Sequence, residues 1–277
     1  MNALTVTDLT KRYDRFTLDR VSFNIKQGNI TGLIGRNGAG KTTTIKAILN
    51  LISSEGKIEY FGKDLFADEQ AIKQRIGYVS GGFDFYKSKT LRSIAKTVAL
   101  FYPSWNSEEY QSYLRLFNLD ERKKIDELSA GMKVKFSIAL ALSHGAELLI
   151  MDEPTSGLDP LSREDFCDTI LGLSNNHNIT ILFSTHITSD LMRIADDVIY
   201  VSDGRVVLQE DLKSLLNKYR LIRFDSEAEA KSFSGKLIGL KRIKDGFAAL
   251  TDSNSDKTVA ATLDDIIIHM EAEKDNA

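Results

Sequence analysis

Short, continuous apolar runs punctuate the chain and alternate with segments whose apolar residues recur every three or four positions. Ile30-Thr31-Gly32-Leu33-Ile34, Ile76-Gly77-Tyr78-Val79, Leu148-Leu149-Ile150-Met151 and Thr180-Ile181-Leu182-Phe183 have the length and pattern of strands buried on both faces. Residues 4–9 and 17–25 alternate instead, as half-exposed strands do, with Lys11-Arg12-Tyr13-Asp14 as a polar turn between them. Ile58-Glu59-Tyr60-Phe61 adds a short strand. Helical spacing predicts a helix over 43–51, where Ile45, Ile48 and Leu49 share a face. It predicts a helical insert over 91–117, interrupted at Pro103, a long helix to about residue 143, and helices at 164–173 and 190–194. Val198 to Val201 and Val206 to Leu208 flank Ser202-Asp203-Gly204-Arg205, a hairpin signal. From Gln209 onward the elements become short: helices at 212–218, 227–233 and 262–273, strands at 221–224 and 246–251, and a disordered tail over 273–277. The expected fold class is α/β, with a mostly parallel sheet core, an antiparallel β subdomain, a helical insert over about 83–135, and a small C-terminal α+β appendix. The expected boundary separates residues 1–210 from 211–277.

Chemistry enters at Gly35-Arg36-Asn37-Gly38-Ala39-Gly40-Lys41-Thr42, which fits G-x-x-x-x-G-K-[ST]. A strand precedes it and a helix follows it. That context aims backbone N–H groups and a helix N-terminus at one point, which suits a triphosphate. The core is therefore expected to be a phosphate-loop NTPase. Lys41 would reach the β- and γ-phosphates, and Thr42 would offer its hydroxyl to Mg²⁺. The strand at 148–151 would deliver Asp152 and Glu153 to the carboxyl end of the sheet, where ligands bind in such folds. Asp152 would hold Mg²⁺, directly or through water, and Glu153 could polarise a water for attack on the γ-phosphate.

With GRNGAGKTT at 35–43, LSAGM at 128–132, LLIMDEPTSGLDP at 148–160 and STH at 184–186, the chain resembles the nucleotide-binding subunits of ATP-binding cassette transporters. The resemblance covers residues 1–210, and LSAGM is its most specific piece. It implies that Gly35 to Thr43 cradle ATP and that Ser129, Ala130 and Gly131 face the ATP of an opposite subunit. It further implies that His186 contacts the γ-phosphate, that Asp159 lies on a loop crossing a dimer interface, and that Tyr13 stacks on adenine, with Phe16 as an alternative. Ser129 also reads as an ordinary helix N-cap, and the two roles are compatible. The implied assembly is a homo- or heterodimer of ATPase subunits, bound to a separate transmembrane permease. The implied place is the inner face of the cell membrane, reached through that permease. LSAGM followed by lysine, with an appendix, resembles bacterial exporter-type cassettes.

Three positions depart from the family pattern. The glutamine usual after the strand at 76–79 is here Gly81, so either a neighbour such as Ser80 or Asp84 substitutes or the contact is absent. Ala130 and Met132 replace the usual glycine and glutamine, and Gly157 replaces alanine.

Composition narrows the picture slightly. An apolar fraction of 42% and a charged fraction of 27% over 277 residues suit a globular protein. A net charge of −3 gives no global reason to expect a nucleic-acid partner. Cys167 is the sole cysteine, so no intrachain disulfide can form, which fits a reducing, cytosolic setting. The N-terminus lacks the apolar segment of a secretory signal, and no run is long enough to span a bilayer. Cys167 reads as a packed or surface thiol, and Trp105 as either a core residue or a membrane-partner contact. The function expected is ATP hydrolysis coupled to export. The alternatives are a cassette ATPase that moves no solute and a nucleotide-gated regulatory module with little turnover.

Overall fold

The computed structural model of the chain describes residues 1–81, 86–254 and 257–275. Asp84, one possible substitute for the family's glutamine, lies outside the described residues. Contacts divide the chain into two units, Met1–Gln209 and Glu210–Ala277.

The first unit begins β1 (Asn2–Tyr13), β2 (Phe16–Lys26), β3 (Ile30–Ile34), α1 (Lys41–Ile48), β4 (Glu55–Tyr60), β5 (Lys63–Asp64), α2 (Glu69–Gln74) and β6 (Ile76–Ser80). The insert follows as α3 (Leu91–Ala99), α4 (Ser107–Leu116) and a 3₁₀ turn (Ile125–Glu127), and leads into α5 (Ala130–Ser143). The remainder is β7 (Leu148–Asp152), α6 (Pro160–His177), β8 (Thr180–Thr185), α7 (Thr188–Ile194), β9 (Asp197–Ser202) and β10 (Arg205–Asp211).

The continuous apolar runs become the middle of a six-stranded sheet in the order β10-β9-β3-β8-β7-β6. Its interior pairs β3·β9, β3·β8, β7·β8 and β6·β7 are parallel. Every residue of β3 is buried, as are the first four of β7. The alternating segments form a second sheet, β2-β1-β4-β5, whose printed pairings are antiparallel. Helix α1 joins the two sheets through one apolar cluster. Ile45, Ala47 and Ile48 pack in it with Leu4, Val6 and Phe23 of the antiparallel sheet and Leu33, Ile150 and Leu182 of the parallel one. Full burial of such side chains contributes about 1.5–3 kcal/mol each. The Tyr60 hydroxyl donates to the Ile48 carbonyl at 2.9 Å, which satisfies a polar group inside this layer, and burial pushes its pKa up.

Several boundaries differ from the sequence reading. Strand β1 continues through Lys11-Arg12-Tyr13, because Lys11, Arg12 and Tyr13 pair with Leu18, Thr17 and Phe16 of β2. The turn is therefore only Asp14-Arg15. Helix α6 starts at Pro160 rather than near 164, since Asp159 caps it and proline suits a first helical position. Cys167 is buried in α6, and its thiol is pushed up to about 11 by that burial, so it is an inert packing residue. Trp105 is half-buried, with its ring 5.4 Å from that of Tyr110.

The second unit contains α8 (Leu212–Lys218), β11 (Arg220–Phe224), α9 (Glu227–Ser232), β12 (Ile238–Ile243), β13 (Gly246–Thr251), β14 (Thr258–Ala260) and α10 (Leu263–Asp275). Its sheet runs β12-β13-β11-β14 with antiparallel pairing throughout. Ile222, Phe224, Ala230 and Ala249 form its core, and Phe224 meets Phe233 edge-on at 5.7 Å. β12 and β14 are edge strands that the sequence pattern did not reveal. Helix α10 reaches Asp275, past the start of the expected tail.

Leu33→Ala would remove a fully buried side chain from the cluster joining both sheets. The expected cost is about 2–5 kcal/mol. Denaturant unfolding followed by the fluorescence of Trp105, the only tryptophan, reads this out in the unit that contains the mutation.

Candidate functional site

The phosphate loop leaves β3 at Ile34 and enters α1 at Lys41. Gly40 is the N-cap of α1, with φ of 111° and no side chain capping the first turn. The N-terminal amides of this helix are thus left for a ligand. Gly35 is needed for a close approach, since a Cβ there would lie 2.3 Å from the Val201 carbonyl oxygen. Lys41 is only 5% exposed, and its Nζ donates to the carbonyls of Gly35 at 2.8 Å and Arg36 at 3.4 Å.

Strand β7 runs parallel to β8, with Asp152 paired to Ser184. This register brings two acidic residues onto one serine. The Ser184 hydroxyl donates to Asp152 Oδ1 at 2.7 Å and accepts from the Glu153 N–H at 3.0 Å. Thr42 Oγ1 donates to the same Asp152 oxygen at 3.2 Å. Glu153 adopts a left-handed backbone, with φ of 50°, just past the strand end. Its carboxylate reaches Lys41 Nζ at 3.1 Å through Oε1 and His186 Nδ1 at 2.9 Å through Oε2. A second buried contact steadies the following loop: Thr155 Oγ1 donates to Asp190, which also pairs with Arg163 at 2.9 Å.

These groups border a cleft of about 640 Å³. Arg15 and Phe16 form one wall, Asn37, Gly38 and Gly40 to Thr43 the floor, and Glu153, Ser156 and His186 the other wall. Of the two aromatic candidates, Phe16 lines the cleft. Tyr13 does not; it is 47% exposed, with its ring 6.4 Å from that of Phe16. Ser129, Ala130 and Gly131 do not line the cleft either. Ser129 caps α5 by accepting from the Met132 N–H at 3.2 Å, and Ser129 and Ala130 are exposed. Asp159 caps α6, and the Ser162 hydroxyl holds its carboxyl below the usual carboxylate range.

The donors suit Mg²⁺. A threonine hydroxyl and an aspartate oxygen are hard ligands, and they converge beside the phosphate loop. Among the described residues no three histidine, cysteine or acidic side chains form a metal cage of their own. Ser80, a possible substitute for the family's glutamine, pairs in register with Asp152 and borders a groove with Tyr78, Tyr102 and His144. Sequence reasoning missed the roles of Ser184, Arg15 and Ser156. Ser184 could have been found from register alone, because it lies at the carboxyl end of β8, two residues before His186.

Ser184→Ala would remove the hydroxyl that serves both Asp152 and the Glu153 amide. The expected stability loss is about 1–3 kcal/mol. Turnover should fall more than nucleotide affinity does, as measured by steady-state ATPase assays beside nucleotide titration.

Comparisons with known proteins agree with this geometry. A family model described as ABC transporter matches residues 18–156. The bacitracin transport ATP-binding protein BcrA of Bacillus licheniformis is 36% identical over 234 residues, 82% of this chain and 76% of that protein. The linearmycin resistance ATP-binding protein LnrL of Bacillus subtilis is 30% identical over 252 residues, 87% of this chain and 81% of that one. A solved ATP-binding subunit of an ABC transporter superposes with a TM-score of 0.68 at 30% identity, covering 77% of this chain and 91% of the other. The phosphate loop, the acidic strand end and these likenesses converge on one conclusion: the chain belongs to the ABC transporter family, as one of its ATP-binding and ATP-hydrolysing subunits.

Proposed function

We propose that the chain drives an exporter, working as one of two cassette subunits that together enclose ATP and act on a separate permease at the inner face of the membrane. The observation that carries this reading is the division of the site. Lys41, Thr42, Glu153 and His186 line one cleft, with Asp152 bonded to Thr42 behind it, whereas Ser129 to Gly131, the helix opening expected to face a γ-phosphate, do not line it. A second subunit, identical or related, supplies that opening in a head-to-tail pair, with Asp159 at the interface.

The loop residues Gly35 to Thr43 bind the phosphates through backbone amides and the Lys41 ammonium. Phe16 or Tyr13 stacks on the base. Thr42 and Asp152 would hold Mg²⁺, which when bound would supply positive charge against the phosphates. Glu153 accepts a proton from the attacking water, and His186 orients the Glu153 carboxylate at 2.9 Å. Lys41 and the amides of the first turn of α1 stabilise the charge that spreads over the transferring phosphoryl group.

A groove of about 450 Å³ supports the permease contact. Leu51, Tyr78, Val98, Tyr102 and His144 line it, between the parallel sheet and the helices of the insert. Leu100 and Phe101, at the end of α3, are 83% and 70% exposed. Such apolar exposure suits a protein partner. Among the described residues no helix is long and apolar enough to cross a membrane. Export of an antibiotic is supported by the likeness to BcrA, named for bacitracin transport, and to LnrL, named for linearmycin resistance. The second reading, a nucleotide-gated module with little turnover, is favoured by Gly81, which offers no side chain to metal or water.

Glu153→Gln should keep ATP binding and lower turnover by roughly 10²–10⁴-fold, the usual contribution of a positioned base. Unimpaired turnover in this variant would remove Glu153 from its role. Chelation of divalent ions should abolish hydrolysis in the parent chain. Affinity purification from membranes should retain a multi-helix protein, and recovery of the chain alone would favour the second reading.

A further inference from the structure

Position 81 reads as a loss in the sequence, because glycine offers nothing to the metal or to water. Its surroundings describe a different constraint. The Gly81 N–H donates to the Asp152 carbonyl at 2.9 Å, extending the β6–β7 pairing one residue beyond Ser80 and Asp152. An added Cβ at Gly81 would stand 2.2 Å from the Glu153 carbonyl oxygen and 3.0 Å from its carbonyl carbon. Both obstacles are backbone atoms, which cannot rotate aside as a side-chain tip can. The residue they belong to is Glu153.

The Glu153 peptide has little freedom on its other side. Its N–H is held by Ser184, at 3.0 Å from the hydroxyl and 3.2 Å from the carbonyl oxygen. Its φ of 50° is a conformation that a side-chain-bearing residue rarely adopts and that only its surroundings maintain. The carboxylate at the end of this constrained residue must meet both Lys41 and His186. A side chain at position 81 would force the Gly81 and Glu153 backbones apart, and whatever share of that shift Glu153 takes carries its carboxylate away from Lys41 and His186.

We propose that Gly81 is a positioning residue for Glu153: the missing side chain is the space that the backbone of the water-activating residue occupies. In this chain a glutamine at 81 would require a backbone shift at the contact with Glu153. The family's usual residue is thus not a gain waiting to be restored. The inference rests on the reading of Glu153 as the residue that activates water.

The test compares the full-length parent chain with Gly81→Ala, Gly81→Gln and Glu153→Gln, with kcat, ATP affinity and thermal midpoint measured for each. A displacement near 1 Å at a reacting group can cost about 10²-fold in rate, so kcat should fall roughly 10- to 100-fold in both position-81 variants. ATP affinity should stay within about threefold of the parent, because the loop and Lys41 are untouched. In the Glu153→Gln background, adding Gly81→Ala should lower the residual single-turnover rate no further, as expected if the glycine acts through that carboxylate. Undiminished or raised kcat in either position-81 variant would overturn the proposal. So would an equal further loss in the double variant, or an unfolded protein, or ATP affinity lost in step with kcat, since these place the constraint on the fold at large. If Glu153→Gln itself leaves turnover intact, the failure lies with the role given to Glu153.

Discussion

A single hydroxyl, that of Ser184, is the point on which the site turns. It accepts from the amide of one acidic residue and donates to the carboxylate of the other. This is possible only because β7 and β8 run parallel, with Asp152 in register beside Ser184. The same parallel arrangement puts β3 next to β8 and so brings the phosphate loop to the same edge. Parallel strands need crossover helices on both faces, which is why the central runs are apolar without alternation. The apolar pattern and the polar site are two results of one topology.

The parts of this fold that sequence could show are those where chemistry demands fixed residue types at fixed spacing. A loop that must expose amides to phosphate needs glycines at set positions, and a carboxylate at a sheet edge needs an apolar strand behind it. Both are local, so the residues from Gly35 to Thr42 and from Leu148 to Glu153 were readable without any contact map. Pairing between distant segments was not. β1 extends through the charged run at Lys11-Arg12 because β2 returns alongside it, a fact of register rather than propensity. β12 and β14 carry mixed patterns because each is paired on only one side. Positional analogy chose Tyr13 over Phe16 as the ring beside the nucleotide, whereas the hairpin between β1 and β2 turns Phe16 toward the cleft.

Gly81 shows the opposite limit. A sequence comparison scores it as a departure, since side chains are what such comparisons count. Space is not written in a sequence, and the crowding by the Glu153 carbonyl can be seen only once β6 and β7 are paired. Ser80, the neighbour that might have compensated, pairs in register with Asp152 and borders the groove lined by Tyr78 and His144.

The phosphate loop is braced from several directions before any ligand arrives. Lys41 is tied to the carbonyls of Gly35 and Arg36, and the Gly204 N–H reaches the Ala39 carbonyl at 3.0 Å from the turn between β9 and β10. Val201 closes on Gly35 from the same hairpin. The entropy of ordering these atoms is therefore lost during folding of the chain and not again at each encounter with nucleotide. Little of the affinity for ATP goes into shaping its own cradle. The remainder is free to be expressed as attraction between two molecules, which makes a rigid loop the natural starting point for a motion that happens elsewhere.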